Sequence, residues 1–345
     1  MTSPAADDYL RVDEFIRTLV DARALKTAFE LRLIDRLLEN QIMGFERLER
    51  ELKLDRRGLQ LLLDMLAASQ VIVRDGDKIG LSERFTAAMP YRDVMEVKLD
   101  FAGFLAVDFL EGFTQLLGDP EGFKKKARLF ELFDYRRCFE FTADNYARTK
   151  TWMRLTTTLT KYESAACMQL HDFSRYRNAL DVGGNSGEFM LRLCKANPEL
   201  RATVMDLPLV CQAGEEHVSR EPERARISFL KSDVRTDPLL RGFDLITFKS
   251  MLHDWPDEDA KRFLAQAAGA VNPGGTILIF ERAPVDAGGK TIPFSMLPTL
   301  LFFRSYRSPT FYVQQLEALG LRDVKTRFLE LEMLFFLVTA GKPPA

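Results

Sequence analysis

The sequence predicts an α/β protein: a seven-stranded, mostly parallel, doubly wound sheet closed by an antiparallel hairpin, preceded by a helical domain with a small β-wing. Three observations carry this. From Asn178 onward, short apolar runs alternate with amphipathic helical stretches, a pattern that needs parallel strands joined by crossovers. The last two runs, in VKTRFLELEMLFFLVTAGK, have no helix between them and so pair antiparallel. Up to about residue 177 the apolar residues instead recur at three- and four-residue steps, the period of a helix.

In the N-terminal part, LVDARALKTAFELRLIDRLLEN reads as an amphipathic helix. The stretch FERLERELKLDRRGLQLLLDMLAASQVIVRDGDKIGLSERF reads as a short helix, a turn at Lys53-Leu54-Asp55, a second helix, and a hairpin pivoting on Asp75-Gly76-Asp77. That is a winged-helix arrangement. As a DNA reader it is poorly equipped, because the helix that would enter a groove carries Leu59, Leu61, Leu62, Leu63, Met65 and Leu66, with Arg56 and Arg57 its only basic residues. The formal charge of −2 over 345 residues offers no broad basic surface either, so no nucleic-acid partner is expected. Helices this apolar need covering by the rest of the chain or by a second copy, and a homodimer is the expected arrangement. The expected domains are residues 1–105, a helical connector 106–177 contributing to a substrate pocket, and 178–345.

In the second half, NALDVGG is a strand ending in glycines and GEFMLRLCKANP a helix closed by Pro198. ATVMDLP, RISFLKSDV, FDLITFKSML and GTILIFERAP are the next strands. Helices lie in LVCQAGEEHVSRE and in PDEDAKRFLAQAAGAVNPGG, the latter expected to stop at Asn272-Pro273-Gly274-Gly275.

The glycine turn Asp181-Val-Gly-Gly-Asn-Ser-Gly187 follows a strand and opens a helix, the context in which glycines permit close approach of backbone to ligand. Asn185 breaks the dinucleotide fingerprint, and no Walker-type lysine is present. Acidic residues end the next two strands. Asp206 is placed to accept both ribose hydroxyls of a nucleoside, and Asp233 to reach the exocyclic amine of adenine. Physically this is an adenosine site with no provision for a pyrophosphate.

These motifs, with FKSMLHDWPDED, NPGGTILIFE and the closing hairpin in matching order, resemble the class I S-adenosylmethionine-dependent methyltransferases. More closely, the chain is similar to the small-molecule O-methyltransferases of the plant caffeate and isoflavone and animal acetylserotonin type, with a Rossmann-like catalytic domain and a winged-helix dimerisation domain. The resemblance implies S-adenosyl-L-methionine as cofactor, S-adenosyl-L-homocysteine as product and no metal. It implies cofactor contacts from Asp181, Gly183, Gly184, Gly187, Asp206, Leu207, Asp233, Val234 and the strand-four lysine, Lys249.

The resemblance also makes His253, in LHDW, the general base. A sulfonium methyl is already activated, so an enzyme has to align the nucleophile and take its proton. Full ionisation of a phenol of pKa ~10 by an imidazole of ~6.5 is uphill by roughly 5 kcal/mol, which proton loss concerted with attack avoids. In the family two carboxylates hold such a base. Glu281 matches the first and is expected to orient His253. The second is missing, for no Asp or Glu lies between Asp286 and Glu317, and Tyr306 or a neighbouring arginine falls where it would stand. That absence keeps open N- or C-methylation, or a non-methylating use of the cofactor.

Trp152, Met153, Thr157, Met296, Phe303 and Tyr306 are the expected substrate contacts, and together they imply an apolar, aromatic or polyketide-like acceptor. Arg304 and Arg307 are candidates to meet an acidic substituent. His171 is expected to be structural, and His217 to be solvated among charges. Cys138, Cys167, Cys194 and Cys211 have no ligand spacing and read as buried free thiols, which with the absence of a leader segment points to the cytoplasm. No stretch is expected to span a membrane.

Overall fold

The computed structural model describes residues 6–286, 288–289 and 291–345. They fall into two compact units. One runs to Arg128 and takes in the segment ending at Leu301; the other comprises Leu129–Asp286 and Phe302–Ala345.

The first unit is helical apart from a three-stranded antiparallel sheet in the order β1-β3-β2, with β1 at Ile42–Gly44, β2 at Ile72–Asp75 and β3 at Lys78–Leu81. The expected hairpin turns at Gly76, whose φ of +57° suits a residue without Cβ. Helices Phe45–Leu52 and Arg56–Ala68 flank the expected turn, where Lys53 is left-handed and Asp55 caps the second helix by accepting the N–H groups of Arg57 and Gly58. Leu59, Leu62, Leu63 and Leu66 are buried, and Arg56 reaches Glu49 and lies over the Phe45 ring. The stretch expected as one helix is two, Leu19–Glu30 and Leu33–Asn40, because Arg32 takes a left-handed backbone (φ +59°) that no Gly or Pro announces. The expected boundary at residue 105 falls inside a single helix, Arg92–Gly118.

That helix belongs to a helical run, Glu83–Gly118, whose most apolar window has mean hydropathy 1.2. By length and composition the run is sufficient to cross a bilayer, which corrects the expectation that no stretch is. Apolar patterning with few charges is not confined to membranes: here Val94, Met95, Leu99, Ala102 and Leu105 are buried within the unit, and Lys98 meets Asp13 at 2.8 Å.

The second unit is built on seven strands in the order β6-β5-β4-β7-β8-β10-β9. These are β4 (Asn178–Val182), β5 (Arg201–Asp206), β6 (Ile227–Lys231), β7 (Phe243–Lys249), β8 (Val271–Arg282), β9 (Arg322–Glu330) and β10 (Leu334–Gly341). The first five in that order are parallel; β10 joins β8 and β9 antiparallel, as the helix-free closing segment requires. Ile277, Leu278, Ile279 and Phe280 of β8 are fully buried, the unbroken apolar run of a strand covered on both faces. The helix before β8 ends at Ala270, earlier than expected, because Asn272–Gly275 already lie in the strand and Gly274 and Gly275 pair with Lys342. The sheet order reverses between β4 and β7, so the loops after β4, β5, β7 and β8 open at one edge around that switch point.

Candidate active site

The loop after β4 turns through Gly183 (φ +68°), Asn185 (φ +55°) and Gly187 (φ +74°). A Cβ at Gly183 would lie 2.4 Å from Cγ of Met251, so only glycine fits there. Asparagine tolerates the left-handed region better than other side chains, which explains how Asn185 stands in a glycine turn. Its Oδ1 accepts the Ser186 N–H at 2.7 Å, and its own N–H donates to Asp206 Oδ2 at 2.8 Å.

Asp206 ends β5, and its Oδ1 takes the Leu207 N–H at 2.7 Å. Two N–H donors are few for a sheltered carboxylate: burial pushes its pKa up to about 6 against them. The site thus holds an incompletely satisfied carboxylate beside a cradle that a Cβ would fill, and this chemistry fits the paired hydroxyls and close backbone approach of a nucleoside. Asp181 lies beneath the loop, 1% exposed. It accepts the Thr247 hydroxyl at 2.6 Å, and burial lifts its pKa to about 7. Its Oδ2 is 2.7 Å from where a Gly184 Cβ would sit, so it supports the loop from below.

Asp233 is differently placed. Arg235 covers both its oxygens, with Nε at 2.9 and 3.0 Å and Nη2 at 2.7 Å. Although burial raises its pKa, these contacts hold it below the usual range. Val234 is buried beside it and Leu207 half-buried. Lys249, at the end of β7, donates to Thr160 Oγ1 at 2.8 Å and to Glu163, a carboxylate with no exposed surface. Glu163 also takes Arg282 Nη2 at 2.6 Å, and Arg282 in turn meets Glu332 at 2.9 Å.

His253 sits in a 3-10 turn, Leu252–Asp254, just after Ser250, which has a left-handed backbone (φ +51°). Its Nδ1 lies 2.7 Å from Glu281 Oε2. A carboxylate only accepts, so Nδ1 carries the proton and Nε2 keeps its lone pair. Burial alone would lower the imidazole pKa, but the charges of Glu281 and Asp254 and the hydrogen bond to Glu281 hold it above its ordinary value. Asp254 Oδ1 is 3.4 Å from Nε2. Tyr306 faces the imidazole with ring centroids 5.2 Å apart, and no carboxylate of its segment stands there. Arg307 is committed to the same turn: it donates to Leu252 O at 2.8 Å, to Asp257 Oδ1 at 2.6 Å and to Trp255 O. It is therefore not free to meet an acidic substituent.

Trp152 and Met153 are buried on the helix Ala143–Leu170, packed with Cys138, Leu209 and Val210. Thr157, on the same helix, is hydrogen-bonded to Ser186 at 2.7 Å, on the glycine loop. Phe303 is half-buried with Arg304 over its ring. Met296 belongs to the first unit, buried at the end of a short turn, Phe294–Met296. His171 stacks on Tyr176 and is pushed down to about 4 by burial and Arg175. His217 is exposed among the charges of its helix, as expected, and its Nε2 also meets the buried Glu188 at 2.6 Å. All four cysteines are buried and unpaired.

Sequence reasoning missed Tyr135, whose hydroxyl donates to Asp254 Oδ2 at 2.9 Å across 119 positions of chain, and the partners of Lys249. Nothing in their local sequence announces such distant pairings.

Residues 117–303, more than half the chain, match the O-methyltransferase domain family, and residues 14–88 match the O-methyltransferase dimerisation domain. A 3-hydroxy-5-methyl-1-naphthoate 3-O-methyltransferase of Streptomyces sahachiroi is 37% identical over 137 residues, covering 38% of this chain and 39% of its own length. The acetylserotonin O-methyltransferase of Bos taurus is 32% identical over 171 residues, covering 48% and 49%. The chain thus spans less than half the length of the curated relatives it matches. Human N-acetylserotonin methyltransferase, solved in complex with SAM, superposes with a TM-score of 0.69 at 22% identity, over 93% of this chain and 94% of that one. An O-methyltransferase from neocarzinostatin biosynthesis, solved with SAM and a hydroxynaphthoic acid, gives 0.66 at 20%, over 94% and 97%. At these identities the structures speak to the fold. On the match over most of its middle and N-terminal sequence, the chain belongs to the O-methyltransferase family.

Proposed function

We propose that this protein is an S-adenosyl-L-methionine-dependent O-methyltransferase acting on a hydroxyl of a small aromatic or polyketide-like acceptor. The observation that carries this is the pair His253–Glu281, 2.7 Å apart at the open edge of the sheet that also holds the glycine cradle and Asp206.

S-adenosyl-L-methionine supplies an electrophilic methyl group. Gly183, Gly184 and Gly187 leave room for its amino-acid part, Asp206 accepts the ribose hydroxyls, and Leu207, Asp233 and Val234 flank the base. Asp181 acts through the loop that it braces. Lys249, engaged with Glu163 and Thr160, holds the end of β7. His253 takes the acceptor's hydroxyl proton on Nε2 while Glu281 fixes the tautomer and steadies the imidazolium that results. Trp152, Met153, Phe303 and Tyr306 furnish apolar surface, which favours a planar aromatic acceptor. The naphthoate substrate named for the Streptomyces sahachiroi relative is of this kind.

Calorimetry with S-adenosylhomocysteine on wild type and Asp206→Ala, followed by a methylation screen of hydroxynaphthoates and phenols, tests the reading. An absence of binding to wild type would remove it. Tyr306, standing where a second carboxylate is expected, favours one other reading, methyl transfer to nitrogen or carbon. His253→Ala separates the two, because it cripples phenol methylation by ~10²–10⁴-fold and spares an amine.

A homodimer is part of the proposal. Val20, Leu61, Leu110 and Leu117 of the first unit are 59%, 62%, 68% and 51% exposed, and large apolar side chains so placed favour a second copy. Light scattering on the purified protein decides between dimer and monomer. The unpaired thiols agree with residence in a reducing cytoplasm.

A further inference from the structure

Tyr135 opens a short 3-10 helix, Tyr135–Phe139, far from the catalytic turn in sequence. Its ring is set among Phe133, Trp152 and Trp255, with centroids 6.4, 5.6 and 6.2 Å away. Its hydroxyl donates to Oδ2 of Asp254 at 2.9 Å. That leaves the other oxygen, Oδ1, turned to Nε2 of His253 at 3.4 Å, outside hydrogen-bond range. The geometry has a chemical reading. With Nδ1–H committed to Glu281, Nε2 presents a lone pair, and a carboxylate oxygen cannot bond to it until it carries a proton.

We propose that Tyr135 is a positioning residue: by holding Oδ2 of Asp254 it keeps Oδ1 beside Nε2 of His253, open to the acceptor before proton transfer and ready for the imidazolium after it. This rests on the reading of His253 as the proton acceptor. Without the tyrosine hydroxyl, Asp254 is free to swing fully onto Nε2, which favours the charged imidazole and closes the nitrogen that the acceptor has to reach.

The groups that bear on His253 are Glu281, Asp254 and Arg282, with the Tyr306 ring packed against it. Those that bear on Tyr135 are Asp254, Asp206 and Cys138. After burial, which contributes most, these raise the phenol's pKa well above its usual value, so at neutral pH it remains a donor.

The chain's three histidines make a direct test practical. Their imidazole C–H signals are followed by NMR against pH in the full-length wild type, Tyr135→Phe, Asp254→Asn and the double variant, with His253→Gln assigning the signal. Tyr135→Phe is expected to raise the His253 pKa by about half a unit or more. Asp254→Asn is expected to lower it, and in that background Tyr135→Phe is expected to have no further effect. His171 and His217 serve as controls for the fold. An unmoved His253 in Tyr135→Phe, or the same shift whether or not residue 254 is charged, overturns the proposal. Titrating the same samples with S-adenosylhomocysteine tests the methyltransferase reading separately: its failure there leaves the NMR outcome to judge Tyr135 alone.

Discussion

Glu281 commits both oxygens to one turn: Oε2 receives His253 Nδ1 at 2.7 Å, and Oε1 receives the backbone N–H groups of Met251 and Leu252, each at 2.9 Å. The same carboxylate therefore shapes the turn and sets the charge of the base. Because Glu281 and Asp254 together outweigh burial, His253 titrates above the ordinary histidine value of ~6.5. Its neutral form is the active one, so kcat/KM is expected to rise with pH through that elevated pKa. In Glu281→Gln the amide keeps a similar shape but loses the charge, and the acid limb is expected to move to lower pH as kcat falls by ~10–100-fold. A limb that stays where it is would mean that Glu281 has only a structural part. Stability follows the same signs. The raised His253 contributes fully below its unfolded pKa, and the contribution is lost as pH rises through the folded one. The depressed Glu281 contributes above its unfolded pKa, and that is lost on acidification.

Asp206 makes cofactor affinity pH-dependent. Burial raises its pKa to about 6, and hydroxyl donors favour its charged form, so binding a ribose is expected to release a proton below that pH. The affinity for S-adenosylhomocysteine should climb by up to about tenfold per pH unit from pH 4.5 to 6 and then level off. Calorimetry in buffers of differing ionisation heat reads both the slope and the proton. In Asp206→Asn the slope should vanish; a slope that survives assigns the proton elsewhere.

The two strand-end aspartates are predicted to be unequal. Asp206 receives only two backbone N–H bonds, whereas Arg235 already occupies both oxygens of Asp233. A charge-assisted hydrogen bond contributes about 1.5–3 kcal/mol, so Asp206→Ala should weaken S-adenosylhomocysteine by roughly 10–150-fold. Asp233→Ala should weaken it by less than about tenfold, and Arg235→Ala, which frees Asp233 for the adenine amine, should tighten it. Equal losses for the two aspartates would contradict this ranking.

The parts of this protein legible in the sequence were those written in local patterns. β4 to β8 follow from apolar runs, the parallel order from the helices between them, and the β9–β10 pairing from the missing helix. Gly183 and Gly187 are legible because the strand-to-helix context demands a left-handed backbone, and Asp206 because it ends the next strand. His253 and Glu281 were matched through motif resemblance, and their 2.7 Å contact needed the fold to bring residues 28 apart together. What was illegible is of one kind, namely side chains whose partners lie far along the chain. The break at Arg32, the capture of Arg307 by the Leu252 carbonyl and the Tyr135–Asp254 bond depend on packing that no window of sequence contains. His217 shows the same limit: it is exposed among the charges of its own helix, as expected, but the buried glutamate that the facing helix brings to it is not announced locally.

Lys249 provides the sharpest contrast between motif and structure. The resemblance makes it a cofactor contact, yet its ammonium meets Glu163 and Thr160, and Glu163 holds Arg282 as well. Glu163 is fully buried; burial alone would raise its pKa, but Lys249 and Arg282 bring it down to about 2. Its contribution to stability is therefore present above the unfolded carboxylate pKa and lost as pH falls towards 2. Removing one partner of a buried pair leaves an uncompensated charge, so Lys249→Met should cost about 3–5 kcal/mol of unfolding free energy and make the loss on acidification begin at higher pH. Lys249→Met with Glu163→Leu should recover part of that cost, because the carboxylate is gone and Arg282 keeps Glu332. Denaturant titrations at pH 7 and pH 5 read both effects. On the folded Lys249→Met protein at low temperature, S-adenosylhomocysteine affinity should fall by less than about tenfold. A larger loss with unchanged stability would return Lys249 to the cofactor and leave Glu163 to Arg282 alone.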